Sequence, residues 1–122
     1  MNTNARKIGL AATILSFLAI LLAALGAHLI NMNGLDEVWG TASSIHMFNA
    51  AALLGITALL AQRELNSLNW GAWLIVMGTV VFSGSIYLHV VSGYKIPVVT
   101  PVGGLIMMAG WALAIMAFLR KS

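Results

Sequence analysis

A few polar side chains interrupt the long apolar stretches of this 122-residue chain. Those with the greatest capacity for chemistry are His28, His46, Asn49, Ser83, Ser85, Tyr87 and His89. His46 and Asn49 lie three residues apart, which places them on one face of a helix. An imidazole or an amide in hydrocarbon is unfavourable unless it is hydrogen-bonded, so we expect these groups to point inward. The sequence therefore predicts a polar layer within one half of a helical bundle.

Depth along the helices predicts which of these polar groups meet. With a fixed rise per residue, His46 shares a layer with Tyr87, and Asn49 lies at a depth similar to that of Ser83. Trp111 falls near the centre of the last apolar stretch, and its indole N–H needs an acceptor there. We expect hydrogen bonds between helices at both depths.

Three interpretations of this polar layer are compatible with the residue types. The side chains can join neighbouring helices by hydrogen bonds. They can bind a small molecule, an ion or a proton, because ionisable residues inside a membrane commonly mark functional sites. They can hold copper through His28, His46 and His89 with a thioether from Met32 or Met47. The three histidines show no close ligand spacing, so we predict neither a resident metal nor a cofactor.

Acid–base and nucleophilic catalysis find little support in the sequence. The acidic residues Asp36, Glu37 and Glu64 fall in hydrophilic stretches that we predict to be loops. The chain has no cysteine. A bundle interior without a carboxylate or a thiol lacks common catalytic groups, so we do not expect an enzyme.

The composition predicts a polytopic membrane protein. Hydrophobic residues make up 61% of the chain and charged residues only 7%, with a mean hydropathy of +0.97. A helix that crosses a bilayer needs about 20 mostly apolar residues. We predict a single all-α domain, residues 1–122, that spans the membrane four times as an antiparallel bundle. The predicted helices cover about residues 8–30, 42–61, 70–91 and 101–119.

Small residues recur at helical spacing in each predicted span. The glycines that we predict to lie at helix contacts are Gly55, Gly78, Gly84, Gly103, Gly104 and Gly110. Lipid provides little hydrophobic force between helices, so their association depends on the close approach that small residues allow. We therefore expect tight packing at these positions.

Basic residues are divided unequally between the two ends of the predicted bundle. The termini and the second loop carry Arg6, Lys7, Arg63, Arg120 and Lys121. Lys95 alone lies at the opposite end. Basic residues accumulate on the cytoplasmic side, which predicts that both termini are cytoplasmic. Because these residues are scattered at helix ends, the expected partner is the lipid bilayer and not a nucleic acid.

Four short segments resemble a known family in residue type, order and spacing. They are residues 25–29 (LGAHL), 81–88 (VFSGSIYL), 100–105 (TPVGGL) and 110–111 (GW). The family is that of the YgdD-like proteins, small bacterial inner-membrane proteins also described as domain of unknown function 423, with eukaryotic relatives called transmembrane protein 256. The resemblance covers almost the whole chain. It implies four helices and a multi-pass location in the bacterial inner membrane, and it brings no established activity.

The second predicted helix departs from this family in its polar residues. Family members carry Tyr-Gln followed two residues later by Phe-His, whereas this chain has Ile45-His46 and Phe48-Asn49. An amide at Asn49 neither binds a proton near neutral pH nor ligates copper well. The departure therefore weakens any mechanism that needs an imidazole there and leaves hydrogen bonding intact.

Two classes of function follow from these observations. The first is a non-enzymatic membrane protein, either an accessory or scaffolding subunit or a binder of a small lipid-soluble ligand. The alternative is a minimal oligomeric transporter or a copper-handling protein that uses the polar layer. The partners expected besides lipid are further copies of the chain or a larger membrane complex.

Accessibility labelling tests the orientation. Single cysteines introduced near either terminus or in the second loop should react with a membrane-impermeant reagent only from the cytoplasmic face. Cysteines in the first and third loops should react only from outside. An N-terminal cysteine labelled from outside in intact cells would contradict the predicted orientation.

Overall fold

A computed structural model describes residues 2–95 and 97–120 and shows an all-helical protein. Its helices are α1 (Thr3–His28), α2 (Asp36–Gln62), α3 (Asn66–Ser92) and α4 (Val99–Leu119). Each helix is long and apolar enough to cross a membrane. The predicted fold class is confirmed. Lys121, one of the basic residues used for the orientation, lies outside the described residues.

All four helices begin earlier than the apolar stretches predicted. Asp36 and Glu37, expected in a loop, form the first turn of α2, where carboxylates interact favourably with the helix N-terminus. The third helix begins at Asn66 and not near residue 70. At the start of α1, the Asn2 side chain accepts a hydrogen bond from the backbone N–H of Ala5 at 2.7 Å. Hydropathy marks the part of a helix that lies in lipid, whereas capping and helix-terminal charges determine where it ends.

Contacts at the helix ends show the antiparallel order. The Asn2 side chain donates to the Leu60 carbonyl at 2.9 Å, which places the start of α1 beside the end of α2. Asn4 donates to Asn69, so the start of α3 lies at the same end. We call this the terminal end, and we call the opposite end, with residues 29–35, 93–95 and 97–98, the distal end. The α1 helix packs mainly on α2, α2 packs on α3, and α4 packs on α3.

Glycines bring the backbones of α3 and α4 into direct contact. A Cβ atom added at Gly103 would lie 2.5 Å from the backbone nitrogen of Phe82. A Cβ atom at Gly78 would lie 2.5 Å from the backbone nitrogen of Met107, and one at Gly110 would lie 2.7 Å from the carbonyl oxygen of Gly71. Any side chain at these positions would push the two helices apart.

Three other glycines differ from the sequence-based expectation. Gly55 and Gly84 are exposed, and no atom lies within 4 Å of a Cβ added at either. Gly104 contacts only the Phe82 ring, at an ordinary distance of 3.7 Å. Helical spacing shows that small residues share a face, but it does not show whether another helix covers that face. The small-residue face of α2 points away from α1 and α3, which pack on the face that contains Leu53.

Two alanine variants test the close packing of α3 and α4. Gly103→Ala should destabilise the protein by about 1–3 kcal/mol, because the added methyl group meets backbone atoms that cannot rearrange. Gly55→Ala is the matched control and should be neutral or stabilising by up to about 1 kcal/mol, since alanine favours the helix and the site is open. Unfolding in detergent measures both. Equal effects of the two variants would contradict the assigned contact.

Candidate functional site

The structure divides the predicted polar layer into two groups at different depths. The central cluster consists of Asn49, Thr79, Met107 and Trp111. The distal cluster, nearer the distal end, consists of Trp39, Ser43, His46 and Tyr87. The two groups differ in how completely their polar atoms are hydrogen-bonded, and this difference separates a structural role from a binding role.

The central cluster joins three helices through one amide. Asn49 Nδ2 donates to Thr79 Oγ1 at 2.9 Å and to Met107 Sδ at 3.0 Å. The indole N–H of Trp111 donates to Asn49 Oδ1 at 3.1 Å. Asn49 is only 2% exposed, and both its amide nitrogen and its amide oxygen are used. This arrangement fits interhelical hydrogen bonding and leaves no group free for a ligand.

Asn49 bridges a gap that the backbones do not close. Over the full described lengths of α2 and α4, no Cα atom of one helix lies within 8 Å of a Cα atom of the other. Phe48 adds a ring contact with Trp111 at a centroid distance of 5.8 Å. The side chains of residues 48 and 49 therefore provide the connection between α2 and α4.

Two predicted members of the layer lie elsewhere. Ser83 donates to the Ala42 carbonyl at 2.9 Å and does not pair with Asn49. Ser85 bonds Thr100 at 2.5 Å and belongs to the contact between α3 and α4. Thr79, which the sequence analysis did not single out, is the partner of Asn49. The sequence could have indicated Thr79, because it lies one helical turn from Ser83 on the same face of α3.

The distal cluster is built around Tyr87. Its hydroxyl lies 2.9 Å from His46 Nδ1, which confirms that these two residues share a layer. The Trp39 and Tyr87 rings pack with centroids 4.7 Å apart. Ser43 lies beside Tyr87, and the backbone of Leu15 on α1 lies beside the His46 ring. Trp39 and His46 are 5% and 4% exposed, so both lie inside the protein.

Three polar atoms of the distal cluster are buried without a partner. Trp39 Nε1, Ser43 Oγ and His46 Nε2 form no hydrogen bond of normal length with any residue of the ranges 2–95 and 97–120. Ser43 nevertheless has the Tyr87 hydroxyl as a polar neighbour, and His46 has the Leu15 backbone, so Trp39 Nε1 is the atom of the three for which no polar partner is found among the described residues. The three residues are spaced by four and three positions, so they follow one face of α2. A buried polar atom without a partner is rare in folded proteins and points to a ligand, an ion or a water molecule.

Two of these residues line a cleft between α1 and α2. We call it the distal cleft; its volume is about 360 Å³, and its walls are Ala23, Gly26, Ala27, Met32, Asp36, Trp39, Gly40 and Ser43. A Cβ atom added at Gly26 would lie 2.4 Å from Trp39 Nε1 and 3.0 Å from the Met32 methyl group. Because residue 26 is a glycine, the Trp39 indole N–H lies directly against the backbone of α1.

The other two histidines do not join either cluster. His28 is exposed at the end of α1. His89 lines a separate cavity of about 290 Å³ that also contains Lys95, and its Nδ1 atom has no partner in the described chain. Across residues 2–95 and 97–120, no three His, Cys, Asp or Glu side chains are grouped as a metal site would require. The copper hypothesis needs His28, His46 and His89 together, and among the described residues these three side chains, on α1, α2 and α3, are not grouped.

Comparison with known proteins gives the family of this chain. The model described as Protein of unknown function (DUF423) matches residues 22–104. The chain belongs to the DUF423 family. The resemblance noted in the sequence is thereby confirmed, and the matched part of this DUF423 protein contains the whole distal cluster.

Relatives of similar length support this assignment. The UPF0382 inner membrane protein YgdD of Escherichia coli K12 is 34% identical over 113 residues, which cover 89% of this chain and 86% of that protein. A UPF0382 membrane protein of Staphylococcus aureus is 34% identical over 106 residues, which cover 84% of this chain and 86% of the relative. No solved structure matches the chain. This DUF423 protein is an integral membrane protein, and the names of these relatives specify no activity.

A double-mutant cycle tests the central cluster. Asn49→Leu combined with Trp111→Phe should give a coupling free energy of about 0.6–1.7 kcal/mol in unfolding, the range of hydrogen bonds between membrane helices. Asn49→Leu combined with Ser85→Ala is the control and should be additive within about 0.5 kcal/mol, because these residues share no hydrogen-bond partner. If both pairs are additive, Asn49 and Trp111 do not act together.

Proposed function

We propose that this protein is a non-enzymatic membrane protein that binds a small lipid-soluble ligand in the distal cleft. The observation that carries the proposal is the set of unpartnered buried polar atoms on Trp39, Ser43 and His46. Each such atom destabilises the folded protein by about 1–3 kcal/mol when nothing bonds to it. A ligand with its own polar group offsets this cost on binding.

The contrast with the central cluster supports a binding role. Asn49 and Trp111 show that this fold can satisfy an amide and an indole completely. In the distal cluster a close hydrogen bond joins His46 Nδ1 to the Tyr87 hydroxyl, whereas Trp39 Nε1 has no partner among the described residues. This unpartnered indole N–H, and the position of both Trp39 and Ser43 in the lining of the distal cleft, support a ligand at this place.

The size and lining of the cleft suit a lipid-soluble molecule. A volume of about 360 Å³ lies in the range of about 300–1,000 Å³ that is usual for small-molecule pockets. The walls consist mostly of small or apolar side chains, and the polar groups are few. A hydrophobic body with one polar group matches this surface. Such a ligand would enter from the bilayer between α1 and α2.

The basic residues support an orientation with both termini in the cytoplasm. Arg6, Lys7, Arg63 and Arg120 lie at the terminal end, opposite Lys95. In a bacterial inner membrane, the location given by the name of the Escherichia coli relative, the distal cleft would then open into the outer leaflet. The ligand would be taken from the periplasmic side of the membrane.

A scaffolding role is the second candidate, and one observation favours it. Ala51, Gly55 and Ala58 form an exposed small-residue face on α2 that none of the helices α1, α3 and α4, as described, covers. Small residues at this spacing promote helix association in membranes, so a second helix could pack there. Support for a transporter is weaker, because a polar pathway across the bundle would be interrupted by the apolar core toward the terminal end. That core contains Ile8, Leu53, Leu68 and Ile75.

Two matched tryptophan variants test the binding proposal. Trp39→Phe removes an N–H that has no partner, so in ligand-free detergent it should leave stability unchanged or raise it slightly. Trp111→Phe removes a bonded N–H and should cost about 0.6–1.7 kcal/mol. After purification in lipid nanodiscs, mass spectrometry should find a lipid-soluble molecule that is retained by Trp111→Phe and lost from Trp39→Phe.

Two results would contradict the proposal. One is a stability loss for Trp39→Phe as large as that for Trp111→Phe, which would show that the Trp39 N–H has a partner within the protein. The other is an identical set of co-purifying molecules for the wild type and Trp39→Phe. A complex with further copies of the chain, disrupted by Gly55→Leu, would instead favour the scaffolding role.

A further inference from the structure

We infer that the ligand of the distal cleft presents a neutral carbonyl oxygen, which accepts hydrogen bonds from Trp39 and Ser43. This inference rests on the proposed binding function and specifies the chemistry of the ligand. It follows from the hydrogen-bonding capacity of the unpartnered atoms and from the charges around the cleft.

Every unpartnered atom in the distal cluster can donate a hydrogen bond. The indole Nε1–H of Trp39 is a donor only, so its ligand partner must be an acceptor. The Ser43 hydroxyl can donate to the same or a neighbouring acceptor. The two residues are four positions apart on α2, and both line the cleft. One oxygen atom or one small polar group can therefore accept hydrogen bonds from both.

The pairing of His46 with Tyr87 makes the third atom a donor as well. A phenol donates more readily than it accepts, since its oxygen lone pairs are partly delocalised into the ring. When Tyr87 donates to His46 Nδ1 across 2.9 Å, the proton of a neutral imidazole lies on Nε2. His46 Nε2 is therefore also a donor, but the His46 ring lies beside the Leu15 backbone and does not line the cleft. The donors offered to the ligand are those of Trp39 and Ser43.

Access to the Trp39 N–H depends on Gly26 and Met32. The indole edge lies against Gly26, and the Met32 methyl group lies close to the same point. Met32 is unbranched and lines the cleft, so its side chain can move aside at little cost. A ligand oxygen can then reach the N–H from the cleft, and a side chain at position 26 would occupy that place.

The charges around the cleft disfavour an anionic ligand. Asp36 lies at the distal rim, and none of the described residues that line the cleft is basic. A carboxylate or phosphate ligand would be repelled by Asp36 and would find no cation to pair with. A neutral carbonyl accepts the same hydrogen bonds without this repulsion. Two sources of such a group occur in membranes, the ester of an acyl lipid and the ring carbonyl of a quinone.

Four probes separate these chemistries. The full chain, labelled with nitrogen-15 in its tryptophan indoles, is placed in dodecyl maltoside micelles, which contain no carbonyl group, and titrated with methyl oleate, oleate, octadecene and decylubiquinone. The Trp39 indole signal is identified by its loss in Trp39→Phe. A hydrogen bond to a carbonyl moves that proton signal downfield, whereas the signal of the exposed Trp70 serves as an internal control.

We expect the Trp39 signal to shift downfield with methyl oleate or decylubiquinone and not with octadecene, with oleate binding more weakly than its ester. The carbonyl probe that binds more tightly indicates whether the ligand is an acyl ester or a quinone.

Ser43→Ala should weaken the binding of that probe about three- to tenfold, because one hydrogen bond is lost. Ser44→Ala, its exposed neighbour, should have no effect. Gly26→Ala should reduce binding further by filling the space beside the indole.

The failure of this inference differs from the failure of the proposed function. Binding of octadecene as tight as that of the carbonyl probes, or tighter binding of oleate, overturns the carbonyl assignment and keeps the cleft as a ligand site. No shift with any probe also overturns the carbonyl assignment. In that case the co-purification experiment with Trp39→Phe and Trp111→Phe alone decides whether the cleft binds a ligand.

Discussion

A polar group inside a bilayer has no water to bond with, so it must find its partners within the protein or in a ligand. Asn49 meets this requirement through Thr79, Met107 and Trp111, and in doing so it connects three helices. The connection matters because the backbones of α2 and α4, along their described lengths, do not approach each other closely. The position of α4 relative to the rest of the bundle therefore depends on this amide together with the contact between α3 and α4.

The contact between α3 and α4 holds these two helices together by close packing, which hydrogen bonds alone do not provide. Lipid is as apolar as the helix surfaces, so two helices stay together only where their atoms pack closely. Gly78, Gly103 and Gly110 allow that approach by removing side chains where backbone meets backbone. The close helix pair sets the depth of Met107 and Trp111, and so it brings them to Asn49. Packing and hydrogen bonding support each other at the same level of the membrane.

The central cluster satisfies its buried polar atoms with hydrogen bonds, and the distal cluster does so incompletely. Trp39, Ser43 and His46 each keep a buried polar atom unpaired, beside a cleft at the end of the bundle where α1 and α2 meet. Functional sites are the usual places where a fold tolerates such a cost, because the partner arrives with the ligand. Under the proposed binding function, the donors of Trp39 and Ser43 and the nearby Asp36 favour a neutral hydrogen-bond acceptor. This protein thus has a specific surface on which a binding activity can be sought.

The sequence by itself determined the membrane class, the four helices, their antiparallel order and the shared depth of His46 and Tyr87, because these depend on apolar length and on a fixed rise per residue. It also indicated that the Trp111 indole needs an acceptor. Only the tertiary structure decided which faces meet: Gly103 is buried against α3, whereas Gly55 faces outward. It also showed that Thr79, and not Ser83, bonds Asn49. The rotation of each helix about its axis decides such pairings, and it is set by the packing of all helices together and not by any single segment.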